Sequence, residues 1–431
     1  MIYIHIPFCR SFCTYCDFYS EVAGRCFNAE RFADALSEEI RSRAGEITDE
    51  VNTLYIGGGT PSVLPLCVFE RILDSLREAG HGGPYDEFTV EVNPEDIVGN
   101  GEEYVRGLLS LGVNRISMGV QSFDDGILKF MNRRHDADTA RRAYSILESA
   151  GVENISIDLI FGLPQLSDAQ WQDTLDKALS ISPSGRPPQH ISSYQLSVEP
   201  GSMLAKLVER GKWSEASEEL CQRQYQMLCE ALRKAGYRHY EISNFAQPGF
   251  EARHNSAYWR HVPYVGFGPG AHSFVIHSQT LCAPVAPSHK WVPPVPAAAG
   301  CSLQKPTGLF ADRSRGWQNA TSAHQASGDD DTITCSCFRT WNEADLGKYL
   351  EDPAGVRDGE ELNEEQMVLE RIMLALRTSE GIQESFLQEH CDSGELSRAF
   401  SSGCLIRLEN GMVRIPEERF FVSDSIISLL V

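Results

Sequence analysis

The sequence predicts an α/β protein built on a partial (β/α)6-type barrel. From residue 1 to about residue 243, short β-rich runs alternate with longer amphipathic helical patterns. This alternation indicates parallel strands joined by right-handed crossovers, and six or seven such units suit a complete or partial β/α barrel. A doubly wound sheet is the alternative. In both arrangements ligands bind at the carboxyl ends of the strands, so residues that follow a strand are candidates for chemistry.

The candidate strands and helices follow from the period of the apolar residues. The strands are expected at residues 1–6, 51–56, 87–92, 114–119, 154–160, 190–196 and 237–243. The helical patterns between them include residues 31–43, 68–79, 137–150 and 170–179.

Changes in composition divide the chain into three predicted regions. The barrel is expected at residues 1–245. An α+β extension at 246–345 contains a low-complexity insertion at about 277–335 that is rich in Pro, Ala, Ser, Gly and Asp. Residues 346–431 are expected to form a small helical, winged-helix-like domain, because an apolar stripe covers 361–376 and 403–430 reads as a short hairpin with a final helix.

Charge and cysteine content exclude several classes of function. Sixty acidic residues against 38 basic ones give a net charge of −22, which disfavours binding to nucleic acid. No apolar run reaches a membrane-spanning length, and the first residues lack a basic leader, so we expect a cytoplasmic protein that is not an integral membrane protein. Thirteen cysteines, an odd number, argue against a secreted disulfide framework and leave metal binding or buried thiols.

A cysteine cluster directly follows the first candidate strand. Cys9, Cys13 and Cys16 have the spacing C-x3-C-x2-C. A cubane 4Fe-4S cluster usually binds one thiolate at each of four irons, so three thiolates leave one iron open to a ligand. The alternatives are a zinc site or three buried thiols, but zinc usually requires a fourth ligand with paired spacing, which is absent nearby.

Polar and glycine residues recur at the later strand ends. Gly58, Gly59 and Thr60 belong to a Gly-Gly-Gly-Thr-Pro segment whose glycines can expose backbone groups to a ligand. Glu91, Gln121, Arg133 and Asp158 lie at or near subsequent strand ends. Each alone could cap a loop or form a salt bridge, although a carboxylate such as Asp158 inside an apolar β-run needs a dedicated partner.

The cysteine spacing, with Tyr15 before the third cysteine, resembles the signature of the radical S-adenosylmethionine (SAM) family. The resemblance covers residues 1 to about 243. It implies a 4Fe-4S cluster whose open iron binds the amino and carboxylate groups of SAM, and an injected electron that can break the sulfonium bond to give a 5′-deoxyadenosyl radical. By similarity to oxygen-independent coproporphyrinogen III oxidase and its relatives, the residues expected to contact SAM are Tyr3, Tyr15, Gly58, Gly59, Thr60, Glu91, Gln121, Arg133 and Asp158.

The porphyrin-related branch of that family is the nearest resemblance, because residues 161–165 (Phe-Gly-Leu-Pro-Gln) and the C-terminal region also match it. The oxidase carries a further cysteine where this chain has Phe18. The segment His254-Asn255-Ser256-Ala257-Tyr258-Trp259 resembles the HNxxYW motif of the HemW heme chaperones. It implies heme binding by His254 as axial ligand, with Tyr258 and Trp259; the bland alternative is a surface histidine followed by a core Tyr-Trp pair.

Two further features of the extension remain open at this point. The glycine loop 264–273 resembles a GxGxGAHS-like segment of the same branch, and its His272 is a weaker ligand candidate. Cys335 and Cys337 resemble a metal-site fragment but offer too few ligands, so plain loop thiols are the preferred interpretation.

The resemblance implies a heme chaperone that delivers heme to acceptor hemoproteins, among them membrane-bound respiratory enzymes. An electron donor would be a further partner for radical chemistry. The alternative is oxidative decarboxylation of coproporphyrinogen III, and a third class is an iron-sulfur or zinc structural protein. Phe18 argues against the oxidase, and the strand-end residues argue against a purely structural role.

Overall fold

The structure is a computed structural model that describes residues 1–24, 28–48, 50–278, 335–355 and 357–431. Nearly all of the predicted low-complexity insertion, together with the side chain of Cys335, lies outside the described residues. No helix among the described residues is long and apolar enough to cross a membrane.

The strands are short and follow the predicted order up to the glycine loop. In chain order they are β1 (Ile2–Ile6), β2 (Phe8–Cys9), β3 (Glu21–Val22), β4 (Thr53–Gly58), β5 (Glu87–Val92), β6 (Arg115–Gln121), β7 (Ile155–Phe161), β8 (His190–Gln195), β9 (Arg238–Glu241), β10 (Asn244–Ala246), β11 (Val265–Phe267), β12 (His272–Ser278), β13 (Cys335–Asn342), β14 (Arg357–Leu362), β15 (Ile382–Gln383), β16 (Ile406–Arg407) and β17 (Met412–Arg414).

Helices connect the strands of the barrel and make up most of the C-terminal region. They are α1 (Ala29–Ser42), α2 (Leu66–Glu78), α3 (Pro94–Ser110), α4 (Asp125–Phe130), α5 (Ala137–Ala150), α6 (Asp168–Leu179), α7 (Met203–Glu209), α8 (Glu218–Lys234), α9 (Arg253–Trp259), α10 (Leu346–Glu351), α11 (Glu364–Ala375), α12 (Glu384–His390), α13 (Ser393–Ser401) and α14 (Ser423–Leu430), with 3-10 turns at Ala44–Glu46, Pro61–Val63 and Glu417–Val422.

The described strands form one main sheet in the order β11-β1-β4-β5-β6-β7-β8-β10-β9. The strands from β11 to β8 are parallel, and β8, β10 and β9 pair antiparallel. Six of these parallel strands, β1 and β4 to β8, are joined in chain order by five crossovers, which confirms the predicted partial (β/α)6-type barrel. Their residues are almost continuously buried, the polar ones of β5, β6 and β8 included, because helices cover the outer face of the sheet.

Two edges of this sheet differ from the sequence expectation. The last candidate strand, 237–243, is the antiparallel β9 rather than a further parallel strand. At the other edge, β11 comes from the predicted extension and pairs in parallel with β1, Ile2 opposite Val265. The barrel sheet therefore recruits a strand from beyond residue 245, although residues 1–245 were expected to contain it alone.

Caps explain why the helices begin where they do. The side chains of Asp124, Asp136 and Ser167 each accept a hydrogen bond from the third backbone N–H of the following helix, at α4, α5 and α6. Helix α3 instead starts with Pro94, whose fixed φ suits the first helical position. These helices hold the loops that follow the strands at one end of the barrel.

The region after β11 packs onto the barrel through a second sheet and the C-terminal helices. Strands β12, β13 and β14 form an antiparallel sheet, in which His272 lies opposite Trp341. The last region contains α11 to α14 and a small sheet of β15, β17 and β16, so the C-terminal region is largely helical, as predicted. Strand β14 pairs with β13 and thus belongs to the sheet of the extension, although residues 346–431 were expected to form a separate domain.

Candidate functional site

A cavity of about 730 Å³ opens at the carboxyl ends of the parallel strands. Every residue predicted to bind the cluster or SAM lines it: Cys9, Cys13, Cys16, Tyr3, Tyr15, Gly58, Gly59, Thr60, Glu91, Gln121, Arg133 and Asp158. These residues come from separate units of the barrel, so the fold itself brings them together, as expected for ligands at strand ends.

The cysteine loop is held from both sides by hydrogen bonds. The N–H of Thr14 donates to the carbonyl oxygen of Met131 at 3.1 Å. The carbonyl oxygen of Thr14 accepts from the N–H of Leu204 at 2.9 Å. Strand β2 leads into the loop, since the N–H of Ala23 donates to the carbonyl oxygen of Cys9 at 2.7 Å. All three cysteines are free and partly exposed, so the loop presents three thiols to the cavity.

The surroundings of the thiols suit thiolate ligands. The Thr60 hydroxyl donates to Cys9 Sγ and Arg133 Nη1 donates to Cys13 Sγ, both at 3.4 Å. Burial raises the pKa of Cys9 and raises that of Cys16 to about 12, whereas a thiol that coordinates a metal is deprotonated. The cysteines would therefore become thiolates when they bind iron. The hydrogen bond from Thr60 and the positive charge of Arg133 would then stabilise their negative charge.

The glycine segment after β4 approaches β1 more closely than a side chain would allow. Gly58 has φ +103°, and a Cβ there would lie 2.4 Å from the His5 ring. A Cβ on Gly59 would lie 2.8 Å from the carbonyl oxygens of Ile6 and Phe8. Glycine is required at both positions, and it leaves backbone groups exposed at the cavity wall.

Two partly buried carboxylates, Glu91 and Asp158, face the cavity from β5 and β7. Glu91 accepts from the Tyr55 hydroxyl at 2.6 Å and from the N–H of Gly58 at 3.0 Å. Asp158 accepts from the Ser117 hydroxyl at 3.4 Å. Burial raises the pKa of Glu91 to about 7 and that of Asp158 to about 6. Both groups are suited to bind a cationic or hydroxyl-bearing ligand, which would stabilise the ionised form.

Arg133 brings positive charge to the same wall. Its Nη2 donates to Asn93 Oδ1 at 2.6 Å and to the carbonyl oxygen of Gly119 at 2.7 Å. Its Nε is buried without a partner among the described residues. Gln121 ends β6 with φ +65°, a conformation that non-glycine residues rarely adopt and that concentrates at functional sites.

The residues present fit a 4Fe-4S cluster and SAM. Among the described residues, no three His, Cys, Asp or Glu side chains converge to hold a single metal ion, and a cubane does not need this because each thiolate binds a different iron. The unpartnered Arg133 nitrogen suits a carboxylate ligand, and the two carboxylates suit ammonium or hydroxyl groups. Arg133, Glu91 and Asp158 therefore match the groups that SAM carries: the carboxylate and ammonium of its amino acid and the hydroxyls of its ribose.

Sequence reasoning missed polar residues that connect this set. Asn93 bridges Arg133 and Thr60, to whose hydroxyl its Nδ2 donates at 3.0 Å. Ser117 and Tyr194 also line the cavity. The signal for Asn93 was available, since it follows β5 directly and stands two residues after Glu91 on the same face.

The HNxxYW segment lies at the opposite end of the barrel. It forms α9, as the shared face of His254 and Tyr258 requires, and the Tyr258 hydroxyl lies 3.0 Å from His254 Nε2. His254 Nδ1 lies 2.9 Å from the hydroxyl of Thr53, the first residue of β4. Glu87, the first residue of β5, accepts from the N–H of His254 at 2.9 Å and so caps the helix.

This placement does not fit the prediction that His254, Tyr258 and Trp259 bind heme. His254 is 0% exposed and both of its ring nitrogens are engaged, so neither is available to iron. Tyr258 packs edge-on against Tyr264, with ring centroids 4.6 Å apart, and Trp259 packs against Leu374. The motif instead covers the end of the barrel at which the strands begin. The alternative interpretation, a surface histidine followed by a core Tyr-Trp pair, was correct for the pair but wrong for His254, which is buried.

The glycine loop 264–273, in contrast, borders the cavity. Gly268 has φ +96°, and a Cβ there would lie 2.3 Å from the carbonyl oxygen of His5, so the loop packs tightly over the end of β1. Gly270 and His272 line the cavity, and so does Trp341 from β13.

Comparison with known proteins places this geometry in a family. The model of the radical SAM superfamily matches residues 3–178. The heme chaperone HemW of Synechocystis is 37% identical over 63% of this chain and 65% of its own length, and HemW of Lactococcus lactis is 37% identical over 63% of this chain and 69% of its own length. The chain belongs to the HemW family.

A solved structure supports the same fold. The E. coli structure described as coproporphyrinogen III oxidase (HemN), a radical SAM enzyme, aligns with 99% of this chain and 89% of its own chain, with a TM-score of 0.71 and 19% identity. At that identity the likeness shows the fold alone. The match to the Synechocystis HemW spans less than two thirds of that protein's length. These similarities therefore establish the family of this chain, and its activity is a separate question.

Proposed function

We propose that this chain is a cytoplasmic heme chaperone that binds a 4Fe-4S cluster and SAM in the barrel and delivers heme to acceptor hemoproteins. The observation that carries the cofactor part is the convergence of all twelve predicted cluster and SAM residues on one cavity. The heme part rests on family membership and on the match to proteins named heme chaperones.

Each group of residues has a distinct task in this proposal. Cys9, Cys13 and Cys16 would hold three irons of the cluster and leave the fourth to SAM. When bound, the cluster and SAM supply one-electron chemistry at the sulfonium group. Arg133 pairs with the carboxylate of the methionyl group, because its Nε lacks a partner among the described residues while Asn93 and Gly119 fix its Nη2.

The carboxylates orient the other half of the ligand. Glu91 holds the N–H of Gly58 and thereby the glycine segment, and it places negative charge near the ammonium group of SAM. The ribose hydroxyls donate hydrogen bonds to the carboxylate of Asp158, and hydrogen bonds to an ionised acceptor are strong ones. Tyr15, which stands between Cys13 and Cys16 in the sequence and lines the same cavity, would lie beside the cluster.

Phe18 argues against the oxidase function. It lines the cavity and is 37% exposed, at the position where the oxidase has a cysteine. Benzyl and thiol groups differ in redox and acid-base chemistry, so this side chain offers no proton donor to a porphyrinogen. We therefore propose heme as cargo rather than a porphyrinogen as substrate.

Anaerobic reconstitution tests both halves of the proposal. The reduced cluster is expected to give an electron paramagnetic resonance signal that shifts on addition of SAM, and the shift is expected to vanish in Asp158→Ala. Cys13→Ser should lose the signal, whereas Cys67→Ser, at an exposed cysteine outside the loop, should keep it.

Parallel assays then distinguish carrier from enzyme. Heme titration should give a stable Soret band, and heme should pass to an apo-hemoprotein, while coproporphyrinogen III stays unconsumed. Porphyrinogen turnover without stable heme binding would overturn the proposal.

A further inference from the structure

Arg115 places a positive charge inside the barrel without an ion pair among the described residues. It is the first residue of β6 and is 2% exposed, and its Nε is buried with no hydrogen-bond partner in the described part of the chain. By contrast, Arg43 and Arg377, which are 4% and 5% exposed, form ion pairs with carboxylates at 2.5 Å and 2.7 Å. Arginine is not deprotonated in proteins, so this buried charge needs an explanation.

Strand alternation places Arg115 below the cavity, towards the strand starts. Residues 115 and 117 share one face of β6, and Ser117 lines the cavity. The Ser117 hydroxyl donates to Asp158 at 3.4 Å. Glu91 lies opposite Ser117 in the β5–β6 register, and Thr89 lies opposite Arg115. Both carboxylates therefore stand beside Ser117, one same-face position above Arg115.

This spacing is short enough for Arg115 to change the ionisation of both carboxylates. Same-face neighbours in a strand are about 7 Å apart. At that separation, with an effective dielectric constant of about 20, a unit charge shifts the pKa of a carboxyl group by about one to two pH units. Burial raises the pKa of Glu91 to about 7 and that of Asp158 to about 6, and the charge of Arg115 acts against both increases. Without that charge both pKa values would be higher still.

The other ionisable groups in this part of the barrel do not replace Arg115. Two carboxylates, Glu87 and Glu241, accept hydrogen bonds from backbone N–H groups. Arg133 stands at the cavity wall, and it lowers the pKa of Asp158 less than Arg115 does. Burial raises the pKa of the tyrosines and lowers that of the histidines, which leaves both neutral near pH 7; they are Tyr3, Tyr55, His190, Tyr194, Tyr240 and His254.

We propose that Arg115 is the buried counter-charge that keeps Glu91 and Asp158 ionised, and that it thereby sets the pH range over which the cavity binds SAM. Arg115 is not among the residues that line the cavity, so it is a positioning residue that acts through the two carboxylates. The inference rests on the proposed function, because it assumes that these carboxylates bind SAM. It explains why the barrel contains an arginine without an ion pair: the charge contributes to the ligand site rather than to stability.

The expected pH dependence has a definite sign. The ionised carboxylates bind the ammonium and hydroxyl groups of SAM, so affinity falls as pH falls through their pKa values, about 7 for Glu91 and about 6 for Asp158. In Arg115→Met these pKa values rise, so affinity should begin to fall at a pH about one to two units higher. At pH 7 the variant should bind SAM at least about tenfold more weakly, whereas at about pH 9 it should approach the wild type.

Calorimetric titration of the reconstituted full chain with SAM, from about pH 5.5 to about pH 9, measures these profiles. The amino group of SAM titrates in the same range, but it does so equally for every variant, so the difference between profiles reports the protein. Arg115→Lys should keep the wild-type midpoint because it keeps the charge. Arg377→Met is the matched control: it removes a buried arginine that is paired with Asp424, and it should lower the free energy of unfolding without moving the profile.

A measurement without SAM tests the same step directly. Infrared difference spectra of the SAM-free protein follow the carbonyl band of protonated carboxylic acids as pH is lowered. The bands that disappear in Glu91→Gln and Asp158→Asn identify the two groups. In Arg115→Met both bands should appear at a pH about one to two units higher than in the wild type. If Arg115→Met fails to fold, as judged by circular dichroism, Arg115→Gln carries the test, because it also removes the charge and keeps a polar side chain.

The outcomes separate this inference from the function on which it rests. A wild-type protein that binds no SAM at any pH would overturn the proposed function, and the infrared titration would still decide the role of Arg115. An affinity loss in Arg115→Met that is the same at every pH would overturn the inference alone and make Arg115 a structural residue. Infrared titrations that coincide in the wild type and the variant would overturn it as well.

Discussion

Replacing His254 by alanine is expected to destabilise the fold rather than to remove a heme ligand. The ring is 0% exposed, and its ring centroid lies 5.1 Å from that of Tyr55. Its removal leaves a cavity and deprives the hydroxyls of Thr53 and Tyr258 of their partner. Truncating a large buried side chain costs about 2–5 kcal/mol, and an orphaned buried hydroxyl adds about 1–3 kcal/mol, so we expect a loss of about 4 kcal/mol.

Denaturant unfolding followed by circular dichroism measures this loss. Thr53→Val and Tyr258→Phe remove the same hydrogen bonds without opening a large cavity, and each should cost about 1–2 kcal/mol. A double-mutant cycle of His254→Ala with Thr53→Val should show a coupling energy of about 1 kcal/mol, because the two residues are in contact.

Heme titration of the same variants decides the role of the motif. Per folded molecule, His254→Ala should bind heme with an unchanged Soret band. A variant of wild-type stability that has lost the heme signal would refute the structural assignment and restore His254 as a ligand.

Two further perturbations probe the cavity wall and the packing of the C-terminal helices. Gly58→Ala, whose Cβ would lie 2.4 Å from a histidine ring, should weaken SAM binding at least about tenfold by calorimetry. Gly80→Ala, at φ +88° with nothing within 4 Å, is the control and should keep wild-type affinity. Burial would raise the pKa of Glu370, but hydrogen bonds from His261 and Arg339 lower it from 4.5 to about 2. Because the folded-state pKa is depressed, Glu370→Gln should cost about 3 kcal/mol at pH 7, and the difference should shrink as pH falls below about 4.5; a pH-independent difference would contradict this.

The cysteine end of the barrel could be predicted from sequence because its geometry follows from chain order. Parallel strands joined by helices place their carboxyl ends together, so Glu91, Gln121 and Asp158 must converge wherever the barrel forms. The cysteine loop is local in sequence and needs no distant information. The fold class therefore predicts that these residues converge, whereas their assignment to SAM came from the resemblance to a known family.

The position of α9 could not be predicted in this way. His254 contacts Thr53 and Glu87, which stand far away in the chain at strand starts. A motif on a helix after the last barrel strand can pack at either end, and composition does not distinguish the two. The available signal was the pair of buried polar residues at the starts of β4 and β5, each of which needs a partner.

Strand β11 was missed for a related reason. It has three residues within a glycine-rich loop, well below the usual strand length of about 5–6 residues. Its pairing with β1 depends on the close approach of Gly268 to the backbone of His5. Local strand propensity gives no information about such a contact. The residues that follow it, including His272, therefore reach the cavity although the sequence suggested a separate extension.

The predicted low-complexity insertion should be separable from the barrel and its cavity. Ser278 and Cys335 pair directly in the β12–β13 register, so residues 279–334 connect strand ends that already lie side by side. Replacing them with Asn-Gly, which favours a two-residue hairpin turn, preserves that register. Shortening a closed loop by about five halvings of its length, at about 0.6 kcal/mol each, should stabilise the fold by about 3 kcal/mol. The cluster signal, its response to SAM and the Soret band should persist. Loss of heme binding with retention of the SAM response would show that residues 279–334 are required for heme binding.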